Sequence, residues 1–293
     1  MTAPRPLDLA GLGQFPLPAM PRQTDKNSRG RVLVVGGGAW GPGAALLCGL
    51  AALRAGAGKV QVAAADRFAS ALAIAFPEAA ILTVPSTLEG EFLIDATEIL
   101  TSHVVEADAI IVGPGMLDKD VAAAIAIGLA ACPGSGSFVL DAGALTGLQL
   151  ESALGFSQGR LVLTPHAGEM ASLLGREIGV IEADPLTPAR EVATALKAVV
   201  IMKGPHTFVV SPDGSAWLHR DGVVGLATSG SGDVLSGVVG GLLARGAPAL
   251  SAAAWGVCVH ARAGRRLSAS VAETGFLARE LLAEIPAIIE RRD

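Results

Sequence analysis

Residues Arg31–Ala65 read RVLVVGGGAWGPGAALLCGLAALRAGAGKVQVAAA, and this stretch decides the fold class. Its opening, Arg31–Val35, has the composition of a buried strand, and a glycine turn follows it. An Ala- and Leu-rich helix is expected over roughly 43–55, and a second strand over Lys59–Ala65. A strand, a helix and a second strand at that spacing make a right-handed βαβ unit, which lays the two strands parallel.

The same alternation continues outward. Further strands are expected at Ala109–Val112, Phe138–Asp141, Arg160–Thr164, Val199–Lys203 and Phe208–Ser211. Helical stretches lie between most of them, at Val121–Ala131, Glu169–Leu174 and Pro188–Lys197. The expectation is an α/β protein with a mostly parallel central sheet and helices on both faces, a three-layer α/β/α arrangement. Ser211-Pro-Asp-Gly differs, because a Pro-Asp-Gly turn between short strands joins an antiparallel hairpin. From Ser231 onward the pattern is mainly helical: Val234–Ala244, Ala247–Ser268 and Glu273–Glu290. No repeat and no charge-run linker interrupts the chain, so residues 1–293 are expected to form one domain. Residues 1–29 are expected to be an extended N-terminal arm. Their Pro-rich start lacks the apolar core of a signal peptide.

Composition narrows the class. Hydrophobic residues make up 51% of the chain against 17% charged, with mean hydropathy +0.52, which excludes a disordered chain or a coiled coil. The longest apolar run, Val121–Cys132, is twelve residues, short of the ~20 a membrane helix needs. Net charge is −5 and no Lys/Arg run exists, so nucleic acid has no electrostatic footprint to bind. Cys48, Cys132 and Cys258 are odd in number and far apart, as reduced thiols of a cytoplasmic protein would be.

Several motifs carry chemistry. Gly36–Gly41 fits G-x-G-x-x-G between a strand and a helix, and Asp66 closes the next strand, the layout of a dinucleotide-binding turn. Asp66, however, lies thirty residues after Gly36, where ~20 is usual. Gly113–Gly115, GPG, follows a strand at the edge where open α/β sheets bind ligands. His166 and Glu169 bracket a helix start after the strand ending at Thr164; His166 faces that same edge, and Glu169 suits the positive end of the helix. Lys203 closes the strand VVIMK, placing an ammonium where a phosphate would lie.

The most informative stretch is ATSGSGDVLSG, Ala227–Gly237. Ser229, Gly230, Ser231 and Gly232 precede Asp233 at the start of a helix, and successive backbone amides in such a turn cradle an anion. Phosphoryl transfer needs that cradle and a carboxylate to take the proton of the attacking hydroxyl, a role Asp233 is placed to fill. An ordinary helix cap would not require the glycines and serines before it. No Walker A sequence is present, which excludes a P-loop enzyme.

Together these pieces resemble the ribokinase-like superfamily and, within it, the NAD(P)H-hydrate dehydratase family. The resemblance rests on GRVLVVGG and GAALLCGLAALRAGAGKV, then FPE at Phe76–Glu78, GPG, LDAGAL, LTPHAGEM, MKGPHT, SGSGDVLSGVVGGLLARG and WGVCVHARAG, in that order. It implies repair of hydrated NADH or NADPH at the expense of ADP or ATP: the ring hydroxyl is phosphorylated and phosphate then leaves. Carried onto this chain, Asp233 is the base, and Gly230, Ser231 and Gly232 stabilise the moving phosphoryl group. Ala44, Gly115, His166 and Asp233 contact the hydrated dinucleotide. Lys203, Gly204, Pro205, His206 and Thr207, with Gly232, hold the adenine nucleotide. The resemblance also implies Mg²⁺ with the phosphates, no assigned metal ligand, a separate epimerase, no membrane, and a homo-oligomer, often a tetramer.

The chain departs from the family's pattern in places. The usual DADAL is Asp141-Ala142-Gly143-Ala144-Leu145, so the second acid is absent. HKG before the first strand is Asp25-Lys26-Asn27, an asparagine before the phosphate loop is Val223, and a double glycine is Ser229-Gly230. Three other readings stay open on sequence: a small-molecule kinase of the same superfamily, a Rossmann oxidoreductase using Gly36–Gly41 and Asp66, and a nucleotide-binding regulator without turnover.

Overall fold

The computed structural model describes residues 3–19, 25–134, 136–151, 156 and 159–290. Parts of the expected N-terminal arm, 1–2 and 20–24, lie outside them. Ten strands form one sheet: β1 Arg5–Pro6, β2 Arg31–Val35, β3 Lys59–Ala65, β4 Ala80–Val84, β5 Ala109–Val112, β6 Ser137–Leu140, β7 Leu161–Leu163, β8 Val199–Met202, β9 Thr207–Val210 and β10 Ala216–His219. Their spatial order is β1-β10-β9-β8-β7-β6-β5-β2-β3-β4. From β8 across to β4 every pair is parallel, whereas β8–β9 and β9–β10 are antiparallel, the hairpin that Pro212-Asp213-Gly214 turns.

Eleven helices among the described residues connect and cover the sheet: α1 Pro42–Arg54, α2 Asp66–Ala75, α3 Ala96–Glu106, α4 Lys119–Ala130, α5 Ala142–Gly147, α6 Ala167–Leu174, α7 Ile178–Ala183, α8 Leu186–Leu196, α9 Ser231–Ala244, α10 Ala249–Ser270 and α11 Ala278–Ile289. Successive strand side chains point to opposite faces. Val32, Val34, Val60, Val62 and Ile111 therefore pack under α1, α9, α10 and α11. Leu33, Val35, Ile110 and Val112 pack under α3, α4, α5, α6 and α8. Burial on both faces is why these strands read as unbroken apolar runs, and the three-layer arrangement is as expected.

Strand β4 and helices α2, α3, α5 and α7 escape the sequence reading. Strand β4 and helices α2 and α3 fill the stretch from Asp66 to Glu106, where β4 is an edge strand with an exposed, mixed pattern. The N-terminal segment is also more than an extended arm. Arg5–Pro6 adds to the sheet beside β10, residues Ala10–Gln14 form a 3-10 turn, and Leu7, Leu12 and Phe15 are buried. Trp255 Nε1 donates to the Phe15 carbonyl at 2.8 Å, and the Phe15 ring meets Trp217 edge-on.

Chain order reverses at β2, which has β3 on one side and β5 on the other. Open α/β sheets bind ligands at the carboxyl ends of strands beside such a reversal. Helix α9 crosses beneath this region against α1, and the two backbones nearly touch. A Cβ at Gly237 would lie 2.2 Å from the Cys48 carbonyl oxygen, and one at Gly241 would lie 2.5 Å from that of Ala52. Gly237→Ala should therefore destabilise the protein by about 1–3 kcal/mol, because overlap outweighs the ~1 kcal/mol that alanine's helix preference returns. Urea unfolding measures it; an unchanged or raised midpoint would mean α1 and α9 have room to part.

Candidate active site

Three neighbouring strand ends and one helix start build the site. Apolar strand β6 delivers Asp141, β7 leads through Pro165 to His166, and β8 delivers Lys203. Facing them is the first turn of α9, which carries Ser231, Gly232 and Asp233. They line one cavity of about 910 Å³ together with Glu169, Gly204, Pro205 and Thr207. Its far wall is apolar, made by Val223, Val224, Leu226, Val257 and Ala261.

Charge concentrates at the polar end. Lys203 Nζ lies 2.9 Å from Asp141 Oδ1 and 3.5 Å from Glu169 Oε2. Burial opposes its charge, but the two carboxylates outweigh burial and hold the lysine pKa above its ordinary value. Asp233 has no partner of that kind. Burial first, and then the nearby Asp141 carboxylate, push its pKa up to about 7 against the pull of Lys203. Burial likewise raises Glu169 to about 7. Gly230 precedes the helix at φ 88°, a conformation that favours glycine, and the amides of Gly232 and Asp233 in the first turn have no acceptor within the helix. Across the turn, His260 Nε2 of α10 lies 2.9 Å from Ser231 Oγ and 3.0 Å from its carbonyl oxygen. Burial lowers the pKa of that imidazole to about 4, so it is a neutral anchor for the start of α9.

His166 has a second occupation. Its Nδ1 accepts from the amides of Gly168 at 3.0 Å and Glu169 at 3.3 Å, while Glu169 Oε2 accepts from the His166 amide at 2.8 Å. This reciprocal cap leaves only the Nε2 edge of a neutral, half-exposed ring toward a ligand, and that edge itself lies 3.4 Å from Glu169 Oε1. Ala44 and Gly115 are absent from the cavity lining. They meet each other at the crevice over β2 and β5, where a Cβ on Gly115 would lie 3.0 Å from the Ala44 Cβ. His206 is exposed, and Gly230 packs against Leu47 of α1 instead of lining the cavity.

The dinucleotide-binding alternative at Gly36–Gly41 fails on hydrogen bonds. The turn's amides are spent on the protein: Gly37 donates to Pro114 O, Gly38 to Gly115 O, Ala39 to Glu91 Oε1 and Gly41 to Gly38 O. Asp66 accepts from Ser86 and starts α2, so no amide cradle and no ribose-binding acid stand ready there.

Two members of the polar cluster had no site role in the sequence reading, Asp141 and Glu169. An acid ending an apolar strand was the available signal for Asp141. Beside it, Ala142 adopts φ 46°, a strained conformation for a non-glycine residue. The absent second acid has a steric reason too: a Cβ at Gly143 would lie 2.2 Å from the Met116 carbonyl oxygen.

A buried carboxyl at the start of a helix, facing a lysine-acid pair at the carboxyl edge of a mostly parallel sheet, places the protein among α/β enzymes of the ribokinase-like kind. A ribokinase-like superfamily protein of Enterococcus faecalis V583 superposes with TM-score 0.81 at 25% identity, covering 98% of this chain and 95% of that one. The sequence from 32 to 287 matches the NAD(P)H-hydrate dehydratase family, and this chain belongs to it. It is 47% identical to the ADP-dependent (S)-NAD(P)H-hydrate dehydratase of Xanthomonas campestris pv. campestris over 99% of both chains. The ADP/ATP-dependent dehydratase of Bacillus subtilis, co-crystallised with ATP/Mg²⁺, shares the fold at TM-score 0.79 and 24% identity over 99% of both chains. The chain spans 52% of the length of the bifunctional repair enzyme of Moorella thermoacetica, which it also matches.

The raised Asp233 pKa has a consequence for stability. The folded protein keeps a proton that the unfolded chain releases near pH ~4, so this residue costs stability as pH rises from there through about 7. Asp233→Asn should raise the melting temperature at pH ~8 by roughly 2–8 °C, and by little at pH ~4. Equal shifts at both values would show that Asp233 is not held protonated by burial.

Proposed function

We propose that this protein dehydrates hydrated NADH and NADPH with ADP as phosphoryl donor, and that Asp233 is its general base. The observation that supports this most directly is the buried Asp233 carboxyl at the amide-rich start of α9, with a pKa of about 7. A base poised near ambient pH is half ionised and still basic enough to take a hydroxyl proton. The Xanthomonas relative's name carries the ADP dependence.

In this reading the diphosphate lies over Gly232 with Lys203 alongside, and the adenine enters the apolar end of the cavity. Gly204 to Thr207 line the approach. The hydrated ring presents its hydroxyl to Asp233. As Asp233 takes the hydroxyl proton, the oxygen bonds to the terminal phosphorus and the bond to the leaving AMP breaks. Expulsion of phosphate from the ring carbon, with loss of a proton from its neighbour, restores the double bond. The Ser231 amide is spent on the Thr228 carbonyl at 3.2 Å, so the amides of Gly232 and Asp233 stabilise the charge that moves onto the phosphoryl oxygens.

Among the described residues no group of three or more His, Cys, Asp or Glu could hold a metal alone. Mg²⁺ usually binds through one or two carboxylates and substrate phosphates, and Asp141 suits that role because Lys203 engages only its Oδ1. Bound there, the ion would neutralise phosphate charge. Free Cys48, Cys132 and Cys258 fit a cytoplasmic setting.

Asp233→Asn should lower kcat by about 10²–10⁴-fold with ADP affinity kept, read as recovery of dihydronicotinamide absorbance. Wild-type activity in this variant would remove Asp233 from the chemistry. For the wild type, kcat/KM should climb through about pH 7 as Asp233 ionises, then level off. A profile flat across that range would assign the base elsewhere.

A further inference from the structure

The crevice over β2 and β5 contains a carboxylate that the reaction leaves unused. Glu91 follows β4 in a turn braced by Thr87, whose amide donates to the Glu91 carbonyl at 2.8 Å. Its side chain reaches both glycine turns. Oε1 accepts from the Ala39 amide at 2.9 Å, in the turn after β2. Oε2 accepts from the amides of Leu117 and Asp118, each at 3.2 Å, in the turn after β5. Gly38 makes the approach possible, since a Cβ there would lie 2.9 Å from Oε2. Asp118 passes the restraint onward by capping α4, accepting from the Val121 amide at 3.1 Å.

We propose that Glu91 is a positioning residue that sets affinity for the hydrated dinucleotide by clamping these two turns together. The inference rests on the reading that Ala44 and Gly115 face that substrate. Near the strands, backbone bonds from Gly37 to Pro114 and from Gly38 to Gly115 already tie the turns. Beyond Gly38 and Gly115 the Glu91 carboxylate links them, and backbone bonds to a carboxylate are among the strong ones. Loosening it frees the outer turn residues while the strands, Asp233 and Lys203 stay in place. Substrate would then spend binding energy on ordering the crevice, so the effect falls on KM.

The test is Glu91→Gln, with Glu91→Asp beside it. The glutamine keeps the shape but turns an amide NH₂ toward one set of backbone donors. KM for hydrated NADH should rise about tenfold, while kcat and KM for ADP stay within about twofold. Hydrogen exchange at the Ala39, Leu117 and Asp118 amides should quicken about tenfold, with the melting temperature within a few degrees of wild type. The shorter Glu91→Asp side chain should not restore KM. An unchanged KM would overturn the proposal. So would a fall in KM, which would mean the carboxylate occupies a place the substrate's own phosphates take. Should the wild type itself fail to dehydrate the hydrate, the catalytic reading falls; unchanged exchange at the three amides would sink the clamp independently.

Discussion

Close approach of α1 and α9 is the constraint on which the site depends. Helix α9 carries Asp233 and unpaired first-turn amides at its start, and it can deliver them to the sheet edge only by lying deep against α1. Cys48 and Ala52 offer bare backbone on one side, and Gly237 and Gly241 offer it on the other. Gly240 performs the same service toward the sheet, where a Cβ would lie 2.4 Å from Ile111 Cδ1. A helix with ordinary side chains at these places would sit farther out, and packed interiors do not absorb such displacements cheaply. The glycine content of α9, which looks costly for a helix, is the condition for placing the Asp233 carboxyl.

The depth that this packing creates then governs the chemistry. Three carboxyl groups, Asp141, Glu169 and Asp233, share one region with one lysine. Lys203 sides with Asp141 and Glu169, and Asp233 is left the least compensated. Neighbouring acids with unequal environments divide into structural and reactive roles. Asp141 holds the lysine, Glu169 caps α6 and braces His166, and Asp233 keeps its proton to near neutrality. The same burial that suits Asp233 to the proposed role of base makes it a burden on the fold.

Much of this was legible in the sequence, for identifiable reasons. The strand-turn-helix units around Arg31–Ala65 announce themselves because strands buried on both faces read as unbroken apolar runs. Lys203 announces itself because a charge closing an apolar strand has few structural excuses, and Asp233 because the glycines and serines before it exceed what a helix cap requires. Strand β4 was not legible, since an edge strand with one open side lacks that apolar signature. Nor was the role of Glu91, which reaches across loops separated by 52 and 26 residues; nothing in local spacing marks such a partner. His166 shows the converse: its position was readable, but its duty as a helix cap depends on a ring rotamer that spacing does not reveal.

The N-terminal segment has one more consequence. A sheet must end somewhere, and an unpaired edge is a template for another chain. Here the edge beyond β10 is closed by Arg5–Pro6, only two residues long, in which Pro6 has no amide to offer and the Arg5 guanidinium lies 5.7 Å over the Trp217 ring. The strand is too short and too poor in donors to recruit a neighbour. The segment ahead of β2 thus ends this side of the sheet with a short strand that offers a further strand little to pair with.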